Sequence, residues 1–325
     1  MIKSIRSLLL ATTVLCGVLA GLLTTTTPAA AATVTEVTGF GTNPGALRMF
    51  RYVPTGLPAG RPLVVALHGC TQLAASYGSN AGWIELADRW RFAVVLPEQQ
   101  TVNNANRCFN WFQAADTGRG HGEAESVAQM VRLAIADLGS ASDRVAVTGL
   151  SAGAAMTSVM LATYPELFAA GGIVAGLPYR CATTLIDAFS CMNPGRNLTP
   201  AQWGDLVRAA SPPPARRPSV SIWHGTADFT VATANQRELV DQWTNVHGSS
   251  TIPAATDTVA GYPHAVYRDA AGRVAVETYT ITNMGHGQPV DPGTATGQCG
   301  HATAFVLDVN VCAAWQLGTT WNLAG

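Results

Sequence analysis

Five short apolar runs along the chain have the length and composition of buried β-strands. They lie at residues 63–67, 92–96, 144–148, 172–174 and 220–223. Stretches with the periodicity of helices separate them, at residues 83–89, 123–138, 152–162 and 234–243. Short buried strands that alternate with helices indicate an α/β fold built on a mainly parallel sheet, with helices on both faces.

Two further features extend this pattern at its ends. Residues 48–53 have the character of an early edge strand, and residues 265–269 and 274–280 predict a late hairpin. The densest loop signal, at residues 211–214, is too short to separate two folded modules. We therefore expect a single domain over residues 33–325.

The first 32 residues are predicted to be an export signal. Lys3 and Arg6 form a positively charged start, an apolar run follows at 8–23, and four alanines at 29–32 suit cleavage after Ala32. A retained membrane anchor is the alternative, but about 16 apolar residues fall short of the roughly 20 that a span needs. We expect a secreted, extracellular protein that is free of the membrane after cleavage.

The charge balance excludes one class of partner. The sequence holds 19 Lys and Arg residues against 20 Asp and Glu, and loss of Lys3 and Arg6 with the signal leaves 17 against 20, a net charge of −3. Nucleic-acid binding through bulk charge requires a basic surface, so we expect no nucleic-acid partner. With 48% apolar and 12% charged residues, the composition also argues against intrinsic disorder.

Six cysteines remain after signal cleavage, and an even number in an exported chain predicts three disulfides. Six cysteines allow about 15 pairings. Because short loops close most easily, sequence order favours Cys70–Cys108, Cys181–Cys191 and Cys299–Cys312. A structural zinc site is the alternative, but the sequence contains no Cys-x-x-Cys pair.

Residues 149–153 read Gly-Leu-Ser-Ala-Gly and match Gly-x-Ser-x-Gly, a pattern that places a serine nucleophile in a sharp turn. The pattern is weak alone, but here it joins a predicted strand to a predicted helix, which is the context this chemistry requires. The helix N-terminus would then face negative charge that develops on a substrate. We predict that Ser151 is a catalytic nucleophile, and an incidental serine in a glycine-rich turn is the alternative.

A serine hydroxyl needs a base within hydrogen-bond distance and an acid that orients the base. After this type of turn, the expected chain order is Ser, then Asp or Glu, then His. Asp228 follows the strand predicted at 220–223, and His286 lies between two glycines just after the predicted hairpin. We predict Asp228 and His286 for these roles, with Asp257 and Asp291 as alternative acids.

The segment that follows the strand at 63–67 contains candidates for oxyanion stabilisation. A His-Gly pair leads into Cys70, and such a turn brings backbone N–H groups beside the serine. We predict that the N–H groups of Cys70 and Ala152 bind the oxyanion, and a plain turn is the alternative.

The four-residue segment that follows Cys108, at 109–112, contains three aromatic side chains. A Cys70–Cys108 bridge would bring them close to the predicted oxyanion loop. We predict Trp111 as a substrate-binding residue, because an indole offers a large apolar contact area. Burial in the core is the alternative for this segment.

Several other histidines and acids are predicted to have structural rather than catalytic roles. His247 and His264 have the character of surface-loop residues. His121, Glu123 and Glu125 are residue types that bind metals, but a helix start, with acids that complement the helix dipole, is the favoured interpretation. No metal, nucleotide or flavin motif is evident in the sequence, so we predict no metal and no cofactor.

Taken together, these motifs resemble those of secreted polyhydroxybutyrate depolymerase-like esterases and the related feruloyl and acetylxylan esterases. They are Leu-His-Gly-Cys-Thr at 67–71, Cys-Phe-Asn-Trp-Phe at 108–112, Gly-Leu-Ser-Ala-Gly at 149–153, His-Gly-Thr-Ala-Asp at 224–228 and Gly-His-Gly at 285–287. The resemblance implies an α/β-hydrolase fold, a Ser151, Asp228 and His286 triad, and the oxyanion role of Cys70. Multidomain depolymerases append a linker and a binding domain that this sequence does not show, so we expect weak attack on crystalline polymer.

Three functions compete at this point. The leading hypothesis is a serine esterase that cleaves a short-chain polyhydroxyalkanoate polyester, or its oligomers, through an acyl-enzyme. The second keeps the chemistry but acts on feruloyl or acetyl esters of plant polysaccharide. The third is a catalytically silent polymer- or carbohydrate-binding protein, against which the complete triad argues. A fold cannot choose among substrates, and the sequence does not indicate an oligomeric state.

Overall fold

The structure is a computed structural model that describes residues 32–214 and 216–325. Apart from Ala32, the predicted export signal lies outside the described residues. The strands are β1 (Thr35–Val37), β2 (Arg48–Tyr52), β3 (Leu63–Leu67), β4 (Ala93–Glu98), β5 (Val145–Leu150), β6 (Ala170–Val174), β7 (Ser219–Gly225), β8 (Ala255–Val259), β9 (Tyr262–Arg268), β10 (Val274–Ile281), β11 (Gln288–Val290) and β12 (Val306–Asp308). The α-helices are α1 (Ala74–Asn80), α2 (Trp83–Trp90), α3 (Gly122–Leu138), α4 (Ala152–Thr163), α5 (Leu185–Met192), α6 (Pro200–Arg208), α7 (Ala234–His247) and α8 (Ala313–Thr320).

Ten of these strands form one sheet in the order β1-β2-β4-β3-β5-β6-β7-β10-β9-β8. The six central strands, from β4 to β10, are parallel, whereas β1 and β2 at one edge and β9 and β8 at the other are antiparallel. After β3, the chain forms β4 on one side of β3 and then forms β5 on the other side of β3. This reversal creates a crevice at the carboxyl ends of β3 and β5, where open α/β sheets bind their ligands.

The strands predicted from the apolar runs correspond to β3 through β7, with ends that agree within two residues. The predicted edge strand at 48–53 is β2, and the predicted hairpin is β9 and β10. The four predicted helices are α2, α3, α4 and α7, and α7 continues four residues beyond the predicted end at 243. The mainly parallel α/β fold class is confirmed.

Apolar side chains from the sheet fill two cores, one on each face. Val65 and Val147 contribute to the core beneath α3, α4 and α7, while Val64 and Leu150 contribute to the core beneath α1, α2 and α8. Because both faces are covered, β5 is buried along its whole length. Burial on both faces explains why the parallel strands read as continuous apolar runs instead of alternating ones.

The three predicted disulfides, Cys70–Cys108, Cys181–Cys191 and Cys299–Cys312, are confirmed. The first ties the loop after β3 to the loop after β4, and the second ties α5 to the segment that precedes it. Disulfides persist in oxidising compartments, so these bonds fit an extracellular protein. Among the helices that the structure describes, none has the length and hydropathy needed to cross a membrane.

Candidate active site

Ser151 occupies a sharp turn between β5 and α4. Its backbone has φ of 57° and ψ of −119°, a conformation that non-glycine residues rarely adopt, and its N–H donates to the Val174 carbonyl at 3.0 Å. Such strain persists only where surrounding contacts hold it, and it is common at functional sites. The side chain thereby projects from the carboxyl end of the sheet at the N-terminus of a helix.

The two glycines of the motif allow backbone segments to approach this turn closely. A Cβ on Gly149 would lie 2.4 Å from the carbonyl carbon of Gly153, and a Cβ on Gly153 would lie 2.2 Å from the Leu67 carbonyl oxygen. Neither contact leaves room for a side chain. The absence of a Cβ at Gly153 therefore lets the loop after β3 lie against the start of α4.

Asp228 and His286 form a hydrogen-bonded pair. The distance between Asp228 Oδ2 and His286 Nδ1 is 2.7 Å, and Asp228 Oδ1 accepts the N–H groups of Thr230 and Val231, each at 2.9 Å. Burial alone would raise the pKa of Asp228, but the hydrogen bonds from His286 and Val231 hold the pKa below its usual value. The carboxylate therefore stays ionised and fixes the orientation of the imidazole ring.

A second histidine braces the Asp228 loop. His224, at the end of β7, donates from Nε2 to the Val231 carbonyl at 2.9 Å, and the same atom lies 3.5 Å from Asp228 Oδ2. Burial lowers the pKa of His224, against the opposing effects of the Val231 carbonyl and Asp228. The ring is therefore neutral and holds the turn that presents Asp228 to His286.

The two alternative acids lie elsewhere. Asp257 accepts a hydrogen bond from His264, with Asp257 Oδ1 2.6 Å from His264 Nδ1, and Asp291 accepts one from the Gln298 side chain at 3.2 Å.

The expectation that His247 and His264 lie in surface loops is wrong. His247 is the last residue of α7, and its ring donates a hydrogen bond to the Pro218 carbonyl at 3.0 Å. His264 is on β9, is 9% exposed, and lies between Asp257 and Glu277. Its position depends on the sheet, which brings both carboxylates to it from neighbouring strands.

The loop after β3 presents Cys70 toward the start of α4. Cys70 follows Gly69 directly, and in the described part of the chain its N–H makes no hydrogen bond to a protein group. Ala152 is the first residue of α4, and the first N–H groups of a helix have no partner within the helix. Both residues line the same cavity as Ser151.

His68 fixes the conformation of this loop from inside. The fully buried ring donates from Nδ1 to the Gly69 carbonyl at 2.7 Å and accepts the Gln99 N–H at Nε2, at 3.1 Å. Burial lowers the pKa of His68 to about 4. The ring is neutral at ordinary pH, so its Nδ1–H holds the loop after β3 in place while its Nε2 links that loop to the loop after β4.

Sequence reasoning missed the inner part of this network. Glu123 lies in the first turn of α3, as predicted, but its side chain is fully buried and accepts hydrogen bonds from the Gln99 side chain and from the Asn110 N–H, the latter at 2.8 Å. Burial, together with repulsion from Asp116, raises the pKa of Glu123 to about 8. Glu123 and Glu125 both lie in the first turn of α3, where acids commonly complement the helix dipole. No signal in the sequence shows that Glu123 is the buried one.

A cavity of about 460 Å³ opens over Ser151 and His286. Its wall includes Cys70, Trp111 and Phe189 among mainly apolar side chains. Trp111 is only 6% exposed and packs edge-on against Phe112, with ring centroids 5.5 Å apart. The indole therefore belongs to the inner wall of the cavity rather than to the outer protein surface.

The architecture and these motifs match known proteins. Residues 47–262 match the family described as Esterase PHB depolymerase. The chain belongs to this family. As a member of this esterase family, the protein is a carboxylic ester hydrolase, as its motifs predict.

Relatives of this family member cover most of its length. Poly(3-hydroxyalkanoate) depolymerase C of Paucimonas lemoignei is 55% identical over 293 residues, which cover 90% of this chain and 70% of the relative. Feruloyl esterase B of Talaromyces stipitatus is 33% identical over 270 residues, with coverage of 80% and 74%. Among solved structures, the acetyl xylan esterase from Aspergillus awamori has a TM-score of 0.72 at 30% identity, covering 78% of this chain and 94% of that one.

The described residues of this esterase contain no group of three or more His, Cys, Asp or Glu side chains arranged to hold a metal ion. The chemistry that the site offers comes from a hydroxyl, an imidazole, a carboxylate and backbone N–H groups.

Proposed function

We propose that the protein is a secreted serine esterase that hydrolyses the ester bonds of a short-chain polyhydroxyalkanoate, as solid polyester or as oligomers. The observation that carries this proposal is the hydrogen bond between Asp228 and His286, whose imidazole lines the same apolar cavity as the strained Ser151. The 55% identity to a poly(3-hydroxyalkanoate) depolymerase supports the choice of substrate.

In the proposed mechanism, His286 accepts the proton of the Ser151 hydroxyl as the serine oxygen attacks the ester carbonyl. Asp228 orients the imidazole and stabilises its charged form. The N–H groups of Cys70 and Ala152 bind the oxyanion of the tetrahedral intermediate, where rigid donors stabilise charge only as it develops. His286 then returns the proton to the leaving alcohol, and water releases the acyl group by the same steps.

The cavity wall supports an apolar, uncharged acyl unit. Leu177, Val231 and Phe112 line the space around Ser151, and no Asp, Glu, Lys or Arg side chain is among the described residues that line it. An aliphatic hydroxyacyl unit buries apolar surface there without the penalty of burying an unpaired charge. Trp111 contributes to the same wall, and we propose it as a substrate contact.

A second substrate class rests on a separate observation. The chain has a TM-score of 0.72 to an acetyl xylan esterase and is 33% identical to a feruloyl esterase. The same triad could cleave feruloyl or acetyl esters of plant polysaccharide. The lower identity makes this the second candidate.

We further propose that residues 33–325 form a single catalytic domain that is exported after removal of residues 1–32. Three disulfides support export, because such bonds are rare in reducing compartments. Mass spectrometry of the protein from culture medium would test this proposal. An N-terminus at Thr33 is the expected result, and retention of residues 1–32 would contradict it.

A direct assay distinguishes the two substrate classes. The purified protein should clear a turbid poly(3-hydroxybutyrate) emulsion and release far less acetate or ferulate from xylan. The Ser151→Ala variant is the matched control and should be inactive on both. Release from xylan without clearing of the emulsion would reject the polyester proposal.

A further inference from the structure

The exposed apolar side chains of this protein are unevenly distributed. Eight large apolar side chains are exposed in the described residues. Six of them follow the carboxyl ends of β3, β4, β6 and β7, on the side of the sheet that carries Ser151, and a seventh, Phe305, lines the cavity over Ser151. The exception is Ile252, in the loop between α7 and β8. That loop lies at the opposite end, since His247, where α7 ends, contacts the Pro218 carbonyl just before β7 begins. Scattered surface apolar residues are ordinary, but a grouped set marks a contact surface.

Five of these side chains border the mouth of the cavity, and we call them the apolar rim. They are Leu185, Ile186, Phe189, Phe229 and Phe305. The first three lie on one exposed side of α5, which Cys181–Cys191 fastens to the preceding segment. Phe229 is next to the end of this helix, because the Asn193 side chain donates to its carbonyl at 3.0 Å.

The rim is continuous with the cavity. Leu185, Phe189 and Phe305 line it together with Ser151, and the ring centroid of Phe305 lies 6.3 Å from that of His286. A solid surface in contact with the apolar rim would therefore lie over the opening of the cavity that contains Ser151. By contrast, Ile186 and Phe229 are 81% and 85% exposed and do not line the cavity.

We propose that the apolar rim is an adsorption surface by which the catalytic domain itself binds the face of a water-insoluble polyester. This inference rests on the proposed function and adds a binding role for residues outside the cavity. A permanent protein partner or a second copy on the rim would cover the entrance to Ser151, so the occupant that permits turnover is the substrate. The only charged residue of α5 is Asp187, so attraction to a neutral polymer depends on apolar contact.

The test compares two matched substitutions, Ile186→Gln on the rim and Ile252→Gln at the far end of the sheet, where the side chain is 77% exposed. Each is made in the Ser151→Ala background, and binding to poly(3-hydroxybutyrate) film is measured by depletion from solution. Ile186→Gln should lower the adsorption constant about fivefold, and Ile186→Gln with Phe229→Gln about tenfold or more. Ile252→Gln should leave adsorption unchanged. With Ser151 restored, all variants should turn over a soluble nitrophenyl ester at the parent rate.

The outcomes separate this inference from the function on which it rests. Failure of the parent enzyme to clear a polyester emulsion would reject the proposed function. If the parent clears the emulsion but the rim and Ile252 variants adsorb equally, the rim is not the adsorption surface. Binding of the parent to phospholipid vesicles but not to polymer film would also overturn the inference. A rim-dependent dimer in sedimentation experiments would do the same.

Discussion

The start of α4 lies so close to the end of β3 that Gly153 has no room for a side chain, since a Cβ there would be 2.2 Å from the Leu67 carbonyl oxygen. Gly153→Ala should therefore displace the loop that carries the Cys70 N–H, even though alanine favours helix formation. We expect about 1–3 kcal/mol of lost stability from overpacking, with a loss in kcat/KM of about 100-fold. Thermal unfolding and a soluble-ester assay would measure both.

Gly285→Ala is the control for this prediction. Gly285 precedes His286, but the nearest atom to an added Cβ would be 4.0 Å away. This variant should retain its stability and most of its activity. Equal damage from both substitutions would mean that the loss at Gly153 does not arise from the contact with Leu67.

Ser151→Ala should abolish ester hydrolysis with little effect on folding. Alanine keeps the Cβ that the turn already accommodates and removes only the proposed nucleophilic oxygen. We expect kcat/KM to fall by about 10³-fold or more while the unfolding midpoint stays within a few degrees of the parent value. Near-parent turnover by the folded variant would reject Ser151 as the nucleophile.

The Cys70–Cys108 bridge should affect activity as well as stability, because it connects the Cys70 loop to the segment that carries Trp111. Removal of a native disulfide typically costs about 2–5 kcal/mol. We expect a Cys70→Ala, Cys108→Ala variant to lose both stability and kcat. A Cys299→Ala, Cys312→Ala variant, whose bridge is absent from the cavity wall, should lose mainly stability. Equal losses of kcat, measured well below both unfolding temperatures, would contradict this assignment.

Trp111 should matter for small and large substrates alike. Since it is 6% exposed and forms part of the cavity wall, Trp111→Ala opens space beside the scissile ester rather than removing a contact on the outer surface. We expect kcat/KM to fall by a similar factor, about tenfold or more, for a soluble hydroxybutyrate oligomer and for the polymer. A loss confined to the polymer would place the indole in adsorption instead.

Because His68 is buried in its neutral form, we expect the free energy of unfolding to fall in acid. Burial lowers the pKa of His68 from 6.5 to about 4, so the unfolded state binds more protons in this interval. The contribution of the neutral ring is complete above pH 6.5 and is lost as the pH falls toward 4, for a total of about 3 kcal/mol. Urea unfolding between pH 4 and 7.5 should show a shallower pH dependence in His68→Gln than in the parent. Parallel slopes in the two proteins would contradict this assignment.

The parts of this fold that the sequence predicts are those with local signals. The strands from β3 to β7 are uninterrupted apolar runs, and the turn at Ser151 carries its two glycines on either side. β8 has no such signal, because its Ala-Thr-Asp-Thr-Val sequence is mostly exposed at the sheet edge and, among the described strands, pairs with β9 alone. Helix α5 has no clear signal either, since its large apolar residues face outward and cannot be distinguished from core residues in the sequence.

The environments of single side chains depended on contacts distant in sequence. The sequence does not reveal the position of His264, because Asp257 and Glu277, which contact it, are on the strands at either side of β9. The burial of Glu123 also cannot be read from the sequence, because its hydrogen-bond partners, the Gln99 side chain and the Asn110 N–H, belong to the loop after β4. The pairing of Asp228 with His286 is predictable from sequence because the acid and the base follow a serine elbow in a regular chain order.

The order of the strands also determines when activity can arise during folding. Ser151, Asp228 and His286 follow β5, β7 and β10, so the chain must close long loops before these side chains meet. Closure of distant segments is slow relative to the formation of local helices. Regain of ester hydrolysis should therefore lag behind regain of helical circular dichroism during refolding, and a nascent chain that has not yet added β10 should be inactive.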